Sequence, residues 1–195
     1  VGSKMCIRDR LIEINAENTI LSYAKKGDVA LLIIGDVFSA TTHIDLMLRA
    51  KKLGIKVRVI HNASVVSAIG ITGLEVYKFG KITSIPFENE NVKTPVEVFK
   101  KNYENDLHTL FLLDLRSEQN RYMTTKEAID YLIRNGVDEE LLCVACASLG
   151  SEEPVIKVGK IKELKEIEIN KFPQCLIIPA KNLHFIEEEA LDLWR

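Results

Sequence analysis

Long hydrophobic runs are missing from this 195-residue chain, and none approaches the roughly 18 residues that a membrane-spanning helix needs. No signal-peptide pattern is visible either. An excess of basic charge is also missing, because 26 Lys and Arg residues are balanced by 28 Asp and Glu residues, for a formal net charge of -2. General nucleic-acid binders and proteins of anionic membranes normally carry a basic excess. The sequence therefore predicts a cytoplasmic protein that binds neither nucleic acid nor membranes.

Cysteine is scarce and unevenly placed, since the chain has four: Cys6, Cys143, Cys146 and Cys175. Four are too few for a disulfide scaffold in a chain of this length, which fits a reducing compartment. The CVAC run at 143–146 places two cysteines three apart on a predicted strand, so they point to opposite faces. No second such pair completes a zinc site, and we expect core cysteines. No spaced cluster of carboxylates and histidines predicts another metal site.

The usual phosphate-binding and covalent-catalysis patterns are absent as well. Neither a GxGxxG nor a GKS or GKT sequence occurs, so a ligand is not expected to be held through its phosphate. No Ser/His/Asp or Cys/His constellation indicates a covalent nucleophile.

Helix and strand patterns alternate from residue 11 onward, which is typical of the α/β class. Apolar and β-branched runs predict strands at 29–34, 55–61, 107–116, 140–148 and 175–181. Helical spacing predicts helices at 11–25, 43–54, 96–106, 124–136 and 184–194. In the helix at 43–54, the core stripe would consist of Ile44, Met47, Leu48 and Leu53, with Thr41 or Thr42 as N-cap and Gly54 as C-cap. Residues 29–61 would then form one strand-helix-strand crossover of a parallel sheet. The acidic run of the last helix is expected to form a solvated face.

The most informative short stretch is GDVFSATTH, residues 35–43, directly after a predicted strand. Ligands of parallel α/β sheets bind beyond such strand ends. Asp36 could therefore accept hydrogen bonds from a ribose or an amine, hold a metal or act as a nucleophile, or it could simply cap a neighbouring loop. Phe38 stands where an aspartyl nucleophile usually has a second acid, which disfavours that role. The neighbouring hydroxyls of Ser39, Thr41 and Thr42 have the same ambiguity between helix caps and ligand contacts.

Five stretches carry a resemblance to a known family: GDVFSATTH (35–43), VIHNASVVSAIGITGLEVYKFGK (59–81), LHTLFLLDL (107–115), RYMTTKEA (121–128) and LIIPAKNLHFIEEE (176–189). Together they resemble the diphthine synthase family of S-adenosylmethionine-dependent methyltransferases. The resemblance implies a two-lobed tetrapyrrole-methylase-like α/β fold, with a mainly parallel sheet in the first lobe and a mixed sheet in the second. It covers nearly everything from residue 11 onward.

The same resemblance sets the expected domain boundaries. Residues 1–10, VGSKMCIRDR, match neither structural period and are expected to be a non-native leader, which leaves Cys6 without a function. Residues 11–61 would be the remainder of an amino-terminal lobe that lacks the family's first strand and glycine-rich loop. Residues 62–195 would form the carboxy-terminal lobe.

The resemblance also implies a reaction, a cofactor and its contacts. The enzyme would methylate the amino group of a modified histidine on translation elongation factor 2, a step in making diphthamide, and would be a homodimer. S-adenosylmethionine would lie in the cleft between the lobes. Carried over position by position, its contacts would be Asp36, Ser39, Ser64, Val65, Leu113, Leu149 and Gln174. Thr41, Thr42 and His43 would shape the cleft that faces the substrate.

Some points depart from the family pattern or stay open. Val37 stands where the family has a proline, and Gln174 stands where the family often has a histidine. A base that takes the proton of the substrate amine is required. The sequence does not single out His43 or His61 as this base, so no catalytic residue is assigned. The role of His108 is equally open. The alternatives are another methyltransferase of the same superfamily, or an inactive, truncated α/β binding module.

Overall fold

The computed structural model describes residues 15–33, 35–39, 41–116 and 119–195, and the chain divides into two compact units, Val1–Val66 and Ser67–Arg195. The predicted leader at 1–10 lies outside the described residues. The expected lobe boundary between residues 61 and 62 stays a prediction. No helix within the described ranges is both long and apolar enough to cross a membrane.

The first unit contains two described helices, α1 (Ile20–Ala24) and α2 (Ile44–Lys52). Within the predicted helix at 11–25, residues 20–24 form α1 and residues 15–19 form turns, and residues 11–14 lie outside the described residues. Helix α2 confirms the prediction at 43–54, and Gly54 follows its end with φ 71°, as a terminating glycine should. The predicted threonine cap of α2 is wrong, because His43 occupies the cap position.

The buried face of α2 differs from the predicted one. Its buried residues are Leu46 and Ala50, which form a small core with Ala16 and Leu21. The predicted stripe at Ile44, Met47, Leu48 and Leu53 is wrong, since Ile44 and Leu48 are 47% and 49% exposed. The helix is rotated so that its Leu46 and Ala50 face packs toward α1. The Arg49 guanidinium donates to both carboxylate oxygens of Glu17, at 3.0 Å each.

The strands predicted at 29–34 and 55–61 are wrong. Residues 29–33 and 55–61 are described, and they form no strand. They do not pair with each other, and no described residue of the first unit forms a strand beside them. Without neighbouring strands or a covering helix on each face, apolar side chains such as Leu32 and Ile60 stay exposed.

The second unit is built on a five-stranded sheet with the strand order β1-β2-β7-β5-β6. A short hairpin of β3 and β4 stands beside it. The strands are β1 (Thr83–Ile85), β2 (Thr109–Leu113), β3 (Leu115–Arg116), β4 (Arg121–Tyr122), β5 (Leu142–Ala147), β6 (Val155–Lys160) and β7 (Gln174–Ile178). Strands β1 and β2 are parallel, and the other neighbours in the large sheet are antiparallel. The predicted mixed sheet is confirmed.

Five helices complete the description: α3 (Val65–Ala68), α4 (Thr94–Glu104), α5 (Thr125–Arg134), α6 (Ile161–Leu164) and α7 (Phe185–Asp192). Short 3-10 turns cover Ile69–Thr72 and Val76–Lys78. Helix α5 begins as its sequence predicts, because the Thr124 hydroxyl accepts from the Glu127 N–H while the Glu127 carboxylate accepts from the Thr124 N–H.

The main core lies in the second unit, where the helices pack against the sheet. Cys143 and Cys146 on β5 are fully buried, which confirms their prediction as core residues. Cys146 lies opposite Cys175 of β7 in the sheet register. Burial raises the pKa of the Cys143 thiol to about 12, so this thiol is not a reactive one.

Gly73 offers a direct test of the packing of α7. Its φ is 90°, and a methyl group placed on it would lie 2.1 Å from the Ala190 Cβ of α7. Gly136 has a similar φ of 78° but nothing within 4 Å of that position, so it isolates the backbone strain. We expect Gly136→Ala to lower the free energy of unfolding by about 1–2 kcal/mol. Gly73→Ala should cost a further 1–3 kcal/mol or so, measured by urea denaturation. Equal losses for the two variants would contradict the close packing.

Candidate active site

Asp36 lies at the centre of a hydrogen-bonded loop cluster in the first unit. Its Oδ1 accepts from the Phe38 N–H at 2.9 Å and from the Ser39 hydroxyl at 3.2 Å. Its Oδ2 accepts from His61 Nδ1 at 2.8 Å and from the Asn62 N–H at 3.3 Å. We call Asp36, Ser39, His61 and Asn62 the Asp36 cluster. It ties the segment at 35–39 to the segment at 61–64, which the sequence had not linked.

The local sequence explains why these two loops adopt this geometry. An aspartate that accepts from the N–H two residues later forms a turn that bends the chain after a strand-like segment. Gly35 precedes it with φ 81°, a conformation that favours glycine. On the other segment, the Asn62 Oδ1 accepts from the Ala63 N–H at 2.8 Å, and the Ser64 hydroxyl accepts from the Val66 N–H at 3.1 Å. Ser64 directly precedes helix α3, which begins at Val65.

The environment of Asp36 keeps its carboxylate charged. The Phe38 N–H has the largest effect and His61 the second, and together they hold the pKa of Asp36 far below its usual range. The Asp36 side chain is only 11% exposed, whereas the His61 side chain is 72% exposed. The cluster thus combines a fixed negative charge with an accessible imidazole.

The predicted substrate-facing residues follow directly in the chain. The Thr41 hydroxyl donates to the Val37 carbonyl at 2.7 Å, and His43 Nδ1 lies 3.0 Å from the same oxygen. Because a carbonyl only accepts, this nitrogen carries the proton. His43 is buried, while Thr41 and Thr42 are exposed. These bonds fix the backbone carbonyl of Val37.

The predicted contacts in the second unit lie at one end of its sheet. Leu113 is the last residue of β2 and Gln174 the first of β7, and these strands run antiparallel. Ala147, the last residue of β5, pairs with Gln174, and Leu149 follows two residues later. Leu113, Leu149 and Gln174 therefore gather at the same edge, although they are far apart in sequence.

The Gln174 side chain is fully engaged with the backbone. Its Oε1 accepts from the Thr125 N–H at 2.7 Å, and its Nε2 donates to the carbonyls of Ile169 and Lys171 at 2.7 and 2.9 Å. The buried amide thus orders the start of α5 and the loop before β7. This role was not predicted.

A second polar cluster, also unpredicted, is buried in the second unit. Glu187 of α7 accepts from His108 Nε2 at 2.8 Å and from Lys78 Nζ at 3.0 Å. It also accepts from the N–H groups of Glu75 and His184, at 3.0 and 2.9 Å. We call Lys78, His108 and Glu187 the Glu187 cluster. The expectation of a solvated acidic face is wrong for Glu187, which is fully buried.

The hydrogen bonds of His108 define its protonation state. The Ala180 N–H donates to His108 Nδ1 at 2.9 Å, so this nitrogen bears no proton and Nε2 donates to Glu187. Burial lowers the pKa of His108 more than the neighbouring Glu187 carboxylate raises it. His108 is therefore a neutral structural residue, which answers the question that the sequence left open.

This neutral imidazole predicts how stability depends on pH. An unfolded histidine takes up a proton near pH 6.5, whereas folded His108 resists it, so the unfolded state binds more protons as pH falls. We expect the free energy of unfolding to fall between about pH 7.5 and 5.5, with His108 contributing up to about 1.4 kcal/mol per pH unit. His108→Gln should flatten this slope in urea titrations at each pH. A slope unchanged by the substitution would contradict the assignment.

Nowhere in the part of the chain that the structure describes do three or more His, Cys, Asp or Glu side chains gather as metal ligands would. The Asp36 cluster offers a fixed carboxylate, one hydroxyl group and an exposed imidazole. Such groups can position a polar or cationic ligand and exchange protons with it. Chemistry of this kind proceeds without a covalent bond between the enzyme and the substrate.

Comparisons with known proteins identify the class to which this fold belongs. Residues 9–165 match the family of tetrapyrrole (corrin/porphyrin) methylases, which defines the class of the chain. A diphthine synthase of Methanocaldococcus jannaschii is 43% identical over 98% of this chain and 78% of its own length. One of Methanosphaera stadtmanae is 40% identical over 92% of this chain and 72% of its own length. A crystal structure of diphthine synthase superposes with a TM-score of 0.86 at 36% identity, over 95% of this chain and 73% of that one.

Within the methylase class, the chain belongs to the diphthine synthase family. The predicted family, its α/β fold class and the prediction of a methyltransferase are thereby confirmed. The similarity to diphthine synthases also favours a diphthine synthase over another methyltransferase of the superfamily.

Proposed function

We propose that this chain is an S-adenosylmethionine-dependent N-methyltransferase that acts on a modified histidine of translation elongation factor 2 during diphthamide biosynthesis. The observation that carries the proposal is the 40–43% identity to diphthine synthases over 92–98% of the chain. We further propose that it works in the cytoplasm as a homodimer.

The Asp36 cluster fits such a cofactor in charge and in hydrogen bonding. A sulfonium cofactor is cationic and carries ribose hydroxyls, so it favours a site with a fixed negative charge and polar groups. Asp36 stays ionised, and its four partners are two backbone N–H groups, one hydroxyl and one imidazole. Because those donors already occupy the carboxylate oxygens, Asp36 acts through its charge and by shaping the loops around it.

The proposed contacts divide between the units. In the first unit they are Asp36, Ser39, Ser64 and Val65, where backbone groups of two loops are fixed in position. In the second they are Leu113, Leu149 and Gln174, at one end of the sheet. Since the Gln174 amide is bonded to the backbone, we expect this residue to contribute through its main chain and through the loop that it orders.

Methyl transfer to an amine depends more on the positioning of the two reactants than on reactive side chains of the protein. When bound, the cofactor would supply a methyl group on a positively charged sulfur, and the protein would position the substrate amine next to it and exclude water. Thr41, Thr42 and His43 are the proposed substrate-facing residues. Thr41 and His43 both bond to the Val37 carbonyl and hold it in place.

Calorimetric titration of the chain with S-adenosylmethionine tests the proposal. We expect saturable binding of one cofactor per chain, and no comparable binding of ATP at the same concentration, because the phosphate-binding motifs are missing. Absence of any heat from S-adenosylmethionine would instead support the alternative of an inactive binding module.

A further inference from the structure

We propose that His61, oriented by Asp36, accepts the proton of the substrate amine before methyl transfer. This inference rests on the proposed function and assigns the base that the sequence left open. It makes His61 a catalytic residue and gives Asp36 a second role, that of a positioning residue for the imidazole.

The geometry of the pair determines which nitrogen of His61 is available. The Asp36 carboxylate, ionised and 11% exposed, accepts from Nδ1 at 2.8 Å, so Nδ1 holds the proton of the neutral ring. The free lone pair then lies on Nε2, and the side chain is 72% exposed. A carboxylate behind an imidazole fixes its tautomer and stabilises the imidazolium that forms when Nε2 takes a proton.

One charged side chain among the described residues contacts His61 and can stabilise its protonated form. Within the described residues, Asp36 is the charged group that contacts His61. The Phe38 ring lies at an edge-on angle, with ring centres 6.3 Å apart. A positive charge on His61 therefore interacts mainly with the Asp36 carboxylate. Asp36 keeps its negative charge because its other three donors remain in place.

The other histidines are less suited to this step. His43 is buried and its Nδ1 is bonded to the Val37 carbonyl, and His108 is fully buried within the Glu187 cluster. His184 uses Nδ1 to accept from the Ile186 N–H at the start of α7, so no carboxylate orients it there. Of the four histidines of the chain, His61 alone has an exposed side chain whose Nδ1 is hydrogen-bonded to a carboxylate.

The proposed step balances in protons and electrons. The substrate ammonium gives one proton to His61 Nε2, which leaves a neutral amine and an imidazolium. The amine lone pair then forms a bond to the methyl carbon as the carbon–sulfur bond breaks, and that electron pair stays on sulfur to give a neutral thioether. The exposed imidazolium returns its proton to solvent, so no further reactant is needed.

The test measures methyl transfer to elongation factor 2 that carries the unmethylated modified histidine, at several pH values. We expect His61→Gln to lower kcat by about 10²- to 10⁴-fold near neutral pH, with a much smaller effect on the affinity for S-adenosylmethionine, because the Gln amide can still donate to Asp36. It should also remove the acid limb of the pH profile that His61 causes. Added imidazole should restore part of the activity of His61→Gly, which a merely structural role would not produce. Arg58→Gln, at an exposed position of the same segment, is the matched control and should behave like the unaltered chain.

The outcomes separate the two proposals. Methyl transfer by the unaltered chain with the same pH profile in His61→Gln would overturn the role of His61 and leave the proposed function intact. No transfer by the unaltered chain would overturn the proposed function and this inference together. A slow His61→Gln enzyme that lacks the acid limb, with imidazole rescue of His61→Gly, is the result that supports it.

Discussion

Glu187→Ala is expected to lower the free energy of unfolding of the second unit by about 3–5 kcal/mol, because it removes one partner from a buried charged cluster. Lys78 would keep its charge beside a cavity, and the N–H groups of Glu75 and His184 would lose their acceptor. Burial alone would raise the pKa of Glu187, but these N–H groups and Lys78 outweigh it and lower the pKa to about 2. Urea denaturation at neutral pH measures the loss.

Glu188→Ala is the matched control for this prediction. Glu188 is the next residue of α7 and is exposed, so its removal should change the free energy of unfolding by no more than about 0.5 kcal/mol. Similar losses for the two variants would show that the Glu187 cluster does not stabilise the fold. The lowered pKa also predicts how this stabilisation depends on pH. Glu187 contributes fully to the free energy of unfolding above about pH 4.3, the usual pKa of glutamate, and the contribution is lost as pH falls toward 2.

Asp36→Ala is expected to have the largest effect on function. It removes a fixed negative charge and the acceptor of four hydrogen bonds, so the 35–39 and 61–64 segments lose their tie. Because the loops proposed to hold the cofactor would then no longer be preorganised, we expect a loss of about 10- to 100-fold in cofactor affinity. Calorimetric titration with S-adenosylmethionine measures the affinity, and a methylation assay should show a greater loss because His61 is no longer oriented.

Two further variants define what Asp36 does. Asp36→Asn keeps the shape of the side chain but not its charge, and we expect a loss smaller than that of Asp36→Ala. Asp28→Ala removes an exposed carboxylate that follows a turn of the same unit, and it should leave affinity and activity unchanged. If Asp36→Ala bound and methylated as the unaltered chain does, the assignment of this site would be wrong.

The sequence predicted the second unit well because its signals are local. The capping box of Thr124 and Glu127, the apolar run of β7 and the amphipathic pattern of α5 each specify an element without reference to distant residues. The register of the sheet then brings Leu113, Leu149 and Gln174 to one edge. That gathering was expected only from the family resemblance, because pairing between distant strands leaves no local signal.

The first unit shows where local pattern fails. An apolar run such as 29–34 has the composition of a strand, but a strand also needs neighbours with which to pair, and none is formed beside 29–33 or 55–61 in the described part of this unit. For α2, helical spacing was compatible with more than one buried face. The contact with Leu21 and Ala16 selects the face of Leu46 and Ala50.

The sites show the same limit. Asp36 could be singled out from its place at the end of an apolar run, but its bonds to His61 and Asn62 join residues 25 and 26 positions apart. Glu187 was concealed in an acidic run that reads as a solvated helix face. Its partners Glu75, Lys78 and His108 precede it by 112, 109 and 79 positions, distances at which sequence periodicity carries no information.

The measurement that tests the central claim most directly is methyl transfer from S-adenosylmethionine to elongation factor 2. The factor, carrying the unmethylated modified histidine, is incubated with this chain and digested, and the mass of the peptide with that histidine is determined. The account predicts that this peptide gains methyl groups in the presence of both the chain and the cofactor. An unmodified peptide, or methyl groups at other residues of the factor, would contradict it.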